Sequence, residues 1–221
     1  MEFKVENGDG IDSWKEVTLV YSAALRQMET KMQILNDEFQ HVHQYNPIEH
    51  IKARIKTPES IVKKLKRYGQ ESTIENMVNY INDIAGIRII CSFTSDIYRI
   101  ADMIRDQRDI KVIAVKDYIT YPKASGYKSY HMIVSIPVYL SDRTVDTKVE
   151  VQIRTVAMDF WASLEHKIHY KFEGDAPENI KNELVECARM VSDLDARMLS
   201  LNEEILAISK KREEEQKQKN I

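Results

Sequence analysis

The sequence predicts an α+β fold in which a core of strands and short helices lies between two long helices. Three observations predict it. Apolar residues recur every three or four positions from Trp14 to Val42, and they do so again from Ile180 to Ile208. Between these stretches, alternating or continuous apolar segments are separated by turn and capping residues. We therefore expect a single domain over residues 1–221, with a core at about 50–172 and helical extensions at about 13–45 and 177–215.

The first long helix is followed by a strand and then by a short helix. Asn46 precedes Pro47, and the first helix ends there because a residue before proline leaves the helical region. Polar and apolar side chains alternate from His50 to Lys56, which predicts an edge strand. Thr57-Pro58 is typical of an N-cap and a first helical position, and the helix that follows ends at Gly69.

The middle of the chain alternates between helices and strands. A short helix is expected from Ile74 to Asp83, then a strand from Gly86 to Ser92, and then a helix that Ser95 caps. Three further strands are expected at about 110–117, 130–139 and 145–154. Thr155 begins a helix that runs to about Phe172. Helices that cover a sheet of such strands make an α+β core.

The last helix carries a regular apolar stripe. Its apolar or small residues follow the four-three spacing of a heptad repeat: Ile180, Leu184, Cys187, Val191, Leu194, Met198, Leu201, Ile205 and Ile208. Such a seam packs either against the N-terminal helix of the same chain or against another copy of the chain, and the spacing leaves both open. The charged tail from Lys210 to Ile221 is expected to fray.

The composition excludes several classes of function. With six glycines, the chain contains neither a P-loop nor a G-x-G-x-x-G turn, so any phosphate is held in another way. The net charge of -3 provides no global attraction to nucleic acid or anionic lipid. The longest apolar run is too short to span a bilayer, and the N-terminus has no signal-peptide core, so a cytoplasmic location is expected. Cys91 and Cys187 are interpreted as reduced thiols in the core rather than as a disulfide or metal ligands.

Two predicted strands carry polar side chains with possible chemical roles. From Lys148 to Arg154, four polar residues alternate with an apolar face, although a solvated sheet face would alternate in the same way. Arg88 interrupts an otherwise apolar strand just after Asp83. Either Asp83 and Arg88 form a structural pair, or Asp83 and Glu150 are oxygen ligands for Mg²⁺ and Arg88 faces a nucleotide.

Two further segments are suited to a bound nucleotide. The segment Tyr121–His131 combines three tyrosines, two lysines and a histidine, which offers stacking faces and phosphate contacts, unless the tyrosines fold onto the core. The segment Lys52–Arg67 has seven basic residues and one acidic residue. Ser60 and Lys64 share a helix face near its N-terminus, so a triphosphate could be held there without glycine. A solvated basic face is the alternative.

Four segments together resemble the synthetase domain of the (p)ppGpp synthetases: Arg54–Ser60, Asp83–Arg88, Tyr118–His131 and Glu150–Thr155. Their order and spacing match over roughly residues 50–170. The element Pro-Lys-x-x-Gly-Tyr-x-Ser-x-His, paired with Glu-Val-Gln-Ile-Arg-Thr, is specific to that family. The chain lacks the His-Asp dipeptide of the hydrolase domain in long members, so it looks like a small, synthetase-only member.

The resemblance implies a fold, a reaction and an assembly. The family's fold is a mixed sheet covered by helices, related to nucleotidyltransferases, and its small members form homotetramers through their terminal helices. The reaction is the transfer of pyrophosphate from ATP to the 3′-hydroxyl of GDP or GTP with Mg²⁺, which releases AMP and gives ppGpp or pppGpp in the stringent response. The alternatives are another Mg²⁺-dependent nucleotidyltransferase and a non-catalytic RNA-binding oligomer.

The resemblance also implies a role for each site residue. Glu150 is expected to be the general base and, with Asp83, a metal ligand. The residues expected to bind ATP are Arg54 and Arg88 at the adenine and Lys56, Ser60 and Lys64 at the phosphates. The residues expected to bind GDP or GTP are Tyr127 at the guanine, Gln152 at the ribose, and Lys116, Lys123, Lys128 and His131 at the phosphates. Gly126 is expected to let the loop close around this second nucleotide.

Overall fold

The computed structural model describes residues 14–43, 45–171 and 176–219, and these residues form six helices and five strands. In chain order they are α1 (Trp14–Val42), β1 (Ile48–Ile55), α2 (Pro58–Arg67), α3 (Ile74–Tyr80), β2 (Ala85–Cys91), α4 (Thr94–Arg105), β3 (Lys111–Asp117), β4 (Tyr130–Tyr139), β5 (Thr144–Thr155), α5 (Val156–Lys171) and α6 (Glu178–Lys219). The predicted α+β class is confirmed.

The five strands form one mixed sheet in the order β1-β2-β5-β4-β3. β2 and β5 are parallel, whereas the other neighbouring pairs are antiparallel. The parallel pairing places the ends of β2 and β5 together, so that Cys91 lies beside Thr155. β1 lies at one edge of the sheet, as its alternating pattern predicts, and β3 lies at the other edge.

One face of the sheet is apolar and lies against α1. The inward-facing residues Val149, Val151 and Ile153 of β5 are fully buried. α1 contacts β1, β2, β4 and β5, and its buried stripe includes Met28 and Met32. The periodicity of α1 therefore reflects packing on the sheet. Packing of the α6 seam against α1, one of the two alternatives, is wrong as the main arrangement, because α6 contacts chiefly α5 and α4.

The heptad seam of α6 is packed only in its first half. Leu184 and Val191 of the seam, together with Ala188 beside it, surround Trp161 of α5, whose indole N–H donates to the carbonyl of Leu184 at 3.0 Å. Cys187 of the seam is exposed, so its expected place in the core is wrong. Beyond these residues an apolar stripe is between 51% and 63% exposed, formed by Leu194, Met198, Leu201, Ile205 and Ile208. The helix continues to Lys219, so the segment after Lys210 is helical in this structure. Neither α6 nor any other helix in the described ranges has an apolar stretch that could cross a membrane.

The opposite face of the sheet is polar along one row that crosses all five strands. Register pairs join Lys52 to Arg88, Arg88 to Gln152, Gln152 to His131, and His131 to Lys116. Residues paired across strands point to the same face. Five polar side chains from five strands are therefore brought into line, and this row passes through the predicted site.

Two local predictions were wrong at helix ends. Ser95 does not cap α4, which begins at Thr94; the carboxylate of Asp96 instead accepts the backbone N–H of Phe93 at 3.1 Å. α3 ends at Tyr80 rather than near Asp83. Lys148 of β5 donates to the carbonyl of Val78 at 3.1 Å, so a side chain from the sheet satisfies the end of α3.

Candidate active site

Two adjoining clefts open on the polar face of the sheet. The first is lined by five of the predicted site residues: Arg54, Asp83, Arg88, Glu150 and Gln152. The second reaches from this face to α5, with Tyr127 and Arg154 in its wall. With the space open to solvent included, they measure about 510 Å³ and about 890 Å³. Arg54, Arg88 and Gln152 line both clefts, so the two share a wall.

The first cleft has a glycine, Gly86, at its floor. Gly86 of β2 lies between Arg54 of β1 and Glu150 of β5 in the sheet register. Since paired residues share a face, the glycine leaves a gap between the guanidinium and the carboxylate. Arg88 stands diagonal to Arg54, and such positions lie about 7–8 Å apart. This spacing leaves room for a planar base between the two arginines.

Glu150 is held by two neighbours on the polar face. Gln152 Nε2 donates to Glu150 Oε2 at 2.9 Å, and Nδ1 of His131 lies 3.4 Å from Glu150 Oε1. Burial raises the pKa of Glu150, but His131 and Gln152 outweigh burial, so the pKa lies below its usual value. Glu150 is therefore a carboxylate at neutral pH, oriented through both of its oxygens.

Asp83 is held by the two lysines that were predicted to bind ATP phosphates. Lys56 Nζ lies 3.1 Å and Lys64 Nζ 2.8 Å from its carboxylate oxygens. Burial raises the pKa of Asp83, but the two lysines outweigh it and the net shift is downward. The alternative of a structural pair between Asp83 and Arg88 is wrong, because Arg88 donates to Asp159 at 3.1 Å.

The donor set of the first cleft fits a magnesium ion. Asp83 and Glu150 line the same cleft, and the charge of Asp83 raises the pKa of Glu150, which shows that the two carboxylates repel each other. Within the described ranges, no group of three or more His, Cys, Asp and Glu residues is arranged to hold a metal. Mg²⁺ commonly takes one or two carboxylates from the protein and completes its shell with phosphates and water.

The loop before β4 gathers aromatic rings and cations. Tyr118, Tyr127 and His131 meet edge to face, with ring centroids 5.3 to 6.0 Å apart. Lys123 Nζ lies 4.8 Å from the centroids of both tyrosines. Lys116 is exposed on β3, opposite His131 in the register. The structure thus brings four of the residues predicted to bind the second nucleotide to one place: Lys116, Lys123, Tyr127 and His131.

Two of the predicted site residues lie elsewhere. Lys128 lines a small cleft between α5 and α6, where it faces Asp195. Ser60 is exposed in the first turn of α2, and its hydroxyl lies 3.0 Å from that of the N-cap Thr57. Neither side chain lines the two clefts of the polar face.

The structure gives Gly126 a structural role in addition to the one expected in closing the loop. Gly126 has φ +85°, in the left-handed region that favours glycine. A Cβ atom at this position would lie 2.5 Å from the Cβ of Ala188 in α6 and 3.9 Å from Trp161. The absence of a side chain here allows α6 to approach the loop.

Several residues of the site were missed as site residues. Lys52 in the first cleft and Glu165, His166 and Lys167 in the second had no predicted role. Arg154 and Asp159 were missed as well. Arg154 is 4% exposed and donates to the hydroxyl of Tyr127 at 2.5 Å and to Gln152 Oε1 at 3.2 Å. Asp159 Oδ1 accepts hydrogen bonds from both Arg154 and Arg88, each at 3.1 Å. Arg154 stands in the predicted polar alternation of β5, but no sequence signal identifies Asp159 of α5 as its partner.

Comparison with known proteins identifies the class. The sequence model of the family described as "Region found in RelA / SpoT proteins" matches residues 53–175. The GTP pyrophosphokinase YwaC of Bacillus subtilis is 48% identical over 195 residues, which cover 88% of this chain and 93% of the relative. The crystal structure of the small alarmone synthetase 2 of B. subtilis matches with a TM-score of 0.79 and 47% identity, over 86% of this chain and 98% of that one. The small alarmone synthetase 1 of B. subtilis, bound to its product pppGpp, matches with a TM-score of 0.81 and 33% identity, over 87% and 97% of the two chains.

The chain belongs to the RelA/SpoT family. It matches small alarmone synthetases over nearly their whole length. The resemblance in its four motifs, and the mixed sheet covered by helices that this resemblance implies, are thereby confirmed.

Proposed function

We propose that the two clefts are the donor and acceptor sites of this small alarmone synthetase. The chain is a GTP pyrophosphokinase, which transfers pyrophosphate from ATP to the 3′-hydroxyl of GDP or GTP. The products are AMP and ppGpp or pppGpp, which is made in the stringent response. One observation carries the proposal for the site. The ionised carboxylate of Glu150 stands in the arginine-lined cleft, beside the Gln152 side chain that this cleft shares with the one lined by Tyr127.

ATP is proposed to bind in the first cleft. Arg54 and Arg88 are placed to stack on the two faces of adenine, and Arg88 Nε is buried without a hydrogen-bond partner among the described residues. Lys56 and Lys64 now contact Asp83, but an ammonium group has three donors, so each can bind a phosphate and keep that contact. Ser60 lies in the first turn of α2, where free N–H groups also favour phosphate.

GDP or GTP is proposed to bind in the second cleft. Guanine stacks on Tyr127, once Lys123 leaves the ring that it now contacts, and Gln152 supports the ribose. Lys116, Lys123 and His131 then hold the phosphates. Lys128 joins this set only if its side chain turns away from Asp195. Cations on both sides of the reaction offset the repulsion between two polyanions.

Glu150 is proposed as the base at the reacting centre. Its carboxylate accepts the proton of the 3′-hydroxyl, whose oxygen forms a bond to the β-phosphorus of ATP while the bond to the α-phosphate oxygen breaks and AMP leaves. The low pKa of Glu150 makes it a weak base, so its orientation by His131 and Gln152 matters more than its basicity. Asp83 and Glu150 would hold Mg²⁺, which when bound neutralises phosphate charge and acidifies a hydroxyl.

The assembly and location form part of the same proposal. The exposed apolar stripe from Leu194 to Ile208 on α6 supports association of copies through terminal helices, for which we propose a homotetramer. We propose a cytoplasmic location because ATP, GDP and GTP are available there. The proposal also treats the chain as one synthetase domain with its catalytic core at about 50–172.

A product assay tests the proposed function. The protein is incubated with ATP, Mg²⁺ and, in parallel, GMP, GDP or GTP, and the nucleotides are separated. We expect AMP to appear in equal amount with a guanosine tetraphosphate from GDP and a pentaphosphate from GTP. Conversion of ATP to ADP or to pyrophosphate alone would indicate another nucleotidyltransferase. RNA binding without any nucleotide product would indicate the non-catalytic alternative.

A further inference from the structure

Arg154 is a buried charge that lies at the centre of the polar network. The residue is 4% exposed, and burial of a guanidinium is costly unless its donors are matched. Nε donates to the hydroxyl of Ser129 at 3.2 Å, NH1 donates to Asp159 at 3.1 Å, and NH2 donates to Tyr127 and Gln152. All three nitrogens of the guanidinium therefore have partners, and these partners come from three separate segments of the chain.

Two of the contacts hold Tyr127. NH2 of Arg154 reaches the phenol oxygen at 2.5 Å, and the guanidinium carbon lies 5.0 Å from the ring centroid. The phenol oxygen also lies 2.9 Å from His131 Nε2. Tyr127 is thus held by its hydroxyl as well as by its ring, and so the plane on which guanine is proposed to stack has one orientation before any nucleotide binds.

The other contacts extend from Arg154 toward the donor and toward the base. Asp159 Oδ1 accepts from Arg154 and from Arg88, so one carboxylate oxygen links the arginine beside Tyr127 to the arginine in the first cleft. Gln152 accepts from Arg154 at 3.2 Å and donates to Glu150 at 2.9 Å. Arg154 is therefore connected to the Tyr127 ring of the acceptor site, to Arg88 of the donor site and to Glu150, the proposed base.

We propose that Arg154 is a positioning residue: it holds the side chains of Tyr127 and Gln152 in the orientation that the acceptor nucleotide needs. Through their shared partner Asp159, it also holds these side chains at a fixed distance from Arg88 in the first cleft. The proposal rests on the proposed function. In-line transfer needs two bound nucleotides in one geometry, and a misplacement of about 1 Å can cost about 100-fold in rate. A planar guanidinium is suited to this task because its donors point in fixed directions, which the single ammonium group of lysine cannot reproduce.

Arg154→Lys tests the proposal, with Arg143→Lys as the matched control. Arg143 is half-exposed on the connection between β4 and β5, where it pairs with Glu16 and Asp142. AMP release is measured with ATP and GDP varied separately. We expect Arg154→Lys to raise the KM for GDP at least about tenfold and to lower kcat, with a smaller change in the KM for ATP, since Arg88 keeps its contact with Asp159. Equal losses for both substrates, or kinetics like those of Arg143→Lys, would overturn the proposal.

Tyr127→Phe alone tests the proposal if Arg154→Lys folds poorly: loss of the hydroxyl that Arg154 contacts should raise the KM for GDP with a smaller change in the KM for ATP, and an unchanged KM for GDP contradicts the positioning role. If Arg154→Lys folds, a double-mutant cycle adds a second test. Tyr127→Phe removes only the hydroxyl that Arg154 contacts. We expect its effect on kcat/KM for GDP to be at least about threefold smaller in the Arg154→Lys background than in the parent chain, because contacting residues are not additive. Full additivity contradicts the positioning role. A parent chain that forms no AMP and no alarmone contradicts the proposed function instead, so the two failures are distinguishable.

Discussion

His131 Nδ1 lies 3.4 Å from the carboxylate of Glu150, while its Nε2 lies 2.9 Å from the hydroxyl of Tyr127. One imidazole thereby joins the proposed base to the ring proposed for guanine. Gln152 and Arg154 complete the connection on the other side, from Glu150 back to Tyr127. These contacts form a closed ring of five side chains: His131, Glu150, Gln152, Arg154 and Tyr127. The orientation of the Glu150 carboxylate therefore depends on the orientation of the Tyr127 ring.

The two nitrogens of His131 can be tested separately. Asn at this position retains a donor near the place of Nδ1, whereas Gln retains one near the place of Nε2. We expect His131→Asn to keep more of the kcat than His131→Gln, because it preserves the contact with Glu150. Steady-state kinetics of AMP release measure this. If the two variants have equal kcat, orientation of Glu150 by His131 is not important.

Replacement of Glu150 by Gln is expected to abolish alarmone synthesis and leave the fold intact. The amide has the same shape but cannot accept the proton of a hydroxyl, and positioned base catalysis contributes roughly 10²–10⁴-fold. AMP release and the thermal midpoint are measured together. Glu186→Gln, at an exposed site of α6, is the control and should retain full activity. Activity of Glu150→Gln close to that of the control would exclude Glu150 as the base.

Substitution of Gly126 and of Gly69 by alanine separates the cost of backbone strain from the cost of a steric clash. Both have positive φ, but a Cβ at Gly69 would meet nothing within 4 Å, whereas at Gly126 it would meet Ala188. We expect Gly126→Ala to reduce the free energy of unfolding by about 1–3 kcal/mol more than Gly69→Ala, which is the usual cost of overpacking. Urea denaturation followed by tryptophan fluorescence measures both. Ala188→Gly should recover the difference in the Gly126→Ala background; without recovery, the contact with α6 is not its cause.

Asp195 is expected to make the stability of the α6 packing depend on pH. Burial raises its pKa, although a hydrogen bond from Thr155 at 2.7 Å and the charge of Lys128 act in the opposite direction. The folded state therefore binds this proton more tightly than the unfolded state, so the stability from this group is complete below the unfolded pKa and is lost as pH rises through the folded one.

Asp195→Asn should consequently melt at a higher temperature than the parent chain near neutral pH, and this gain should vanish at about pH 4, near the usual pKa of aspartate. Thermal melts across this range measure the difference. Asp193→Asn is the control, because Asp193 is exposed on the same helix. A difference between Asp195→Asn and the parent that is independent of pH would contradict the assignment to this carboxyl.

The exposed stripe of α6 predicts an effect on assembly. Leu194 is 58% exposed, and a charge at this position should weaken association of copies through the seam. We expect Leu194→Asp to shift the protein to a smaller species in light scattering coupled to size exclusion, whereas Ser200→Asp, at an exposed position off the stripe, leaves the size unchanged. A monomeric parent chain would contradict the proposed tetramer.

Local signals predicted most of the secondary structure, because they act within a few residues. The three-four spacing of α1, the alternation of β1 and the Thr57-Pro58 start of α2 each depend on neighbours in the chain, and each is found where expected. Among the residues that line the two clefts, the motifs identified Arg54, Asp83, Arg88, Tyr127, Glu150 and Gln152. Glu150, Arg88 and Tyr127 were singled out as candidates by their type and spacing, and the resemblance to the family gave them their expected roles.

The sequence did not predict which residues far apart in the chain contact each other. Alternation in β5 predicted that Lys148 and Arg154 leave the apolar face, but Lys148 caps a helix end 70 positions away and Arg154 shares Asp159 with Arg88. Lys128 faces α6, although the motif predicts it at the second nucleotide. By itself the sequence determined which elements form, which of their faces are apolar and which family the motifs resemble. Only the tertiary structure decided which side chains meet, because a periodic pattern defines a face, whereas strand register and helix placement choose what lies against it.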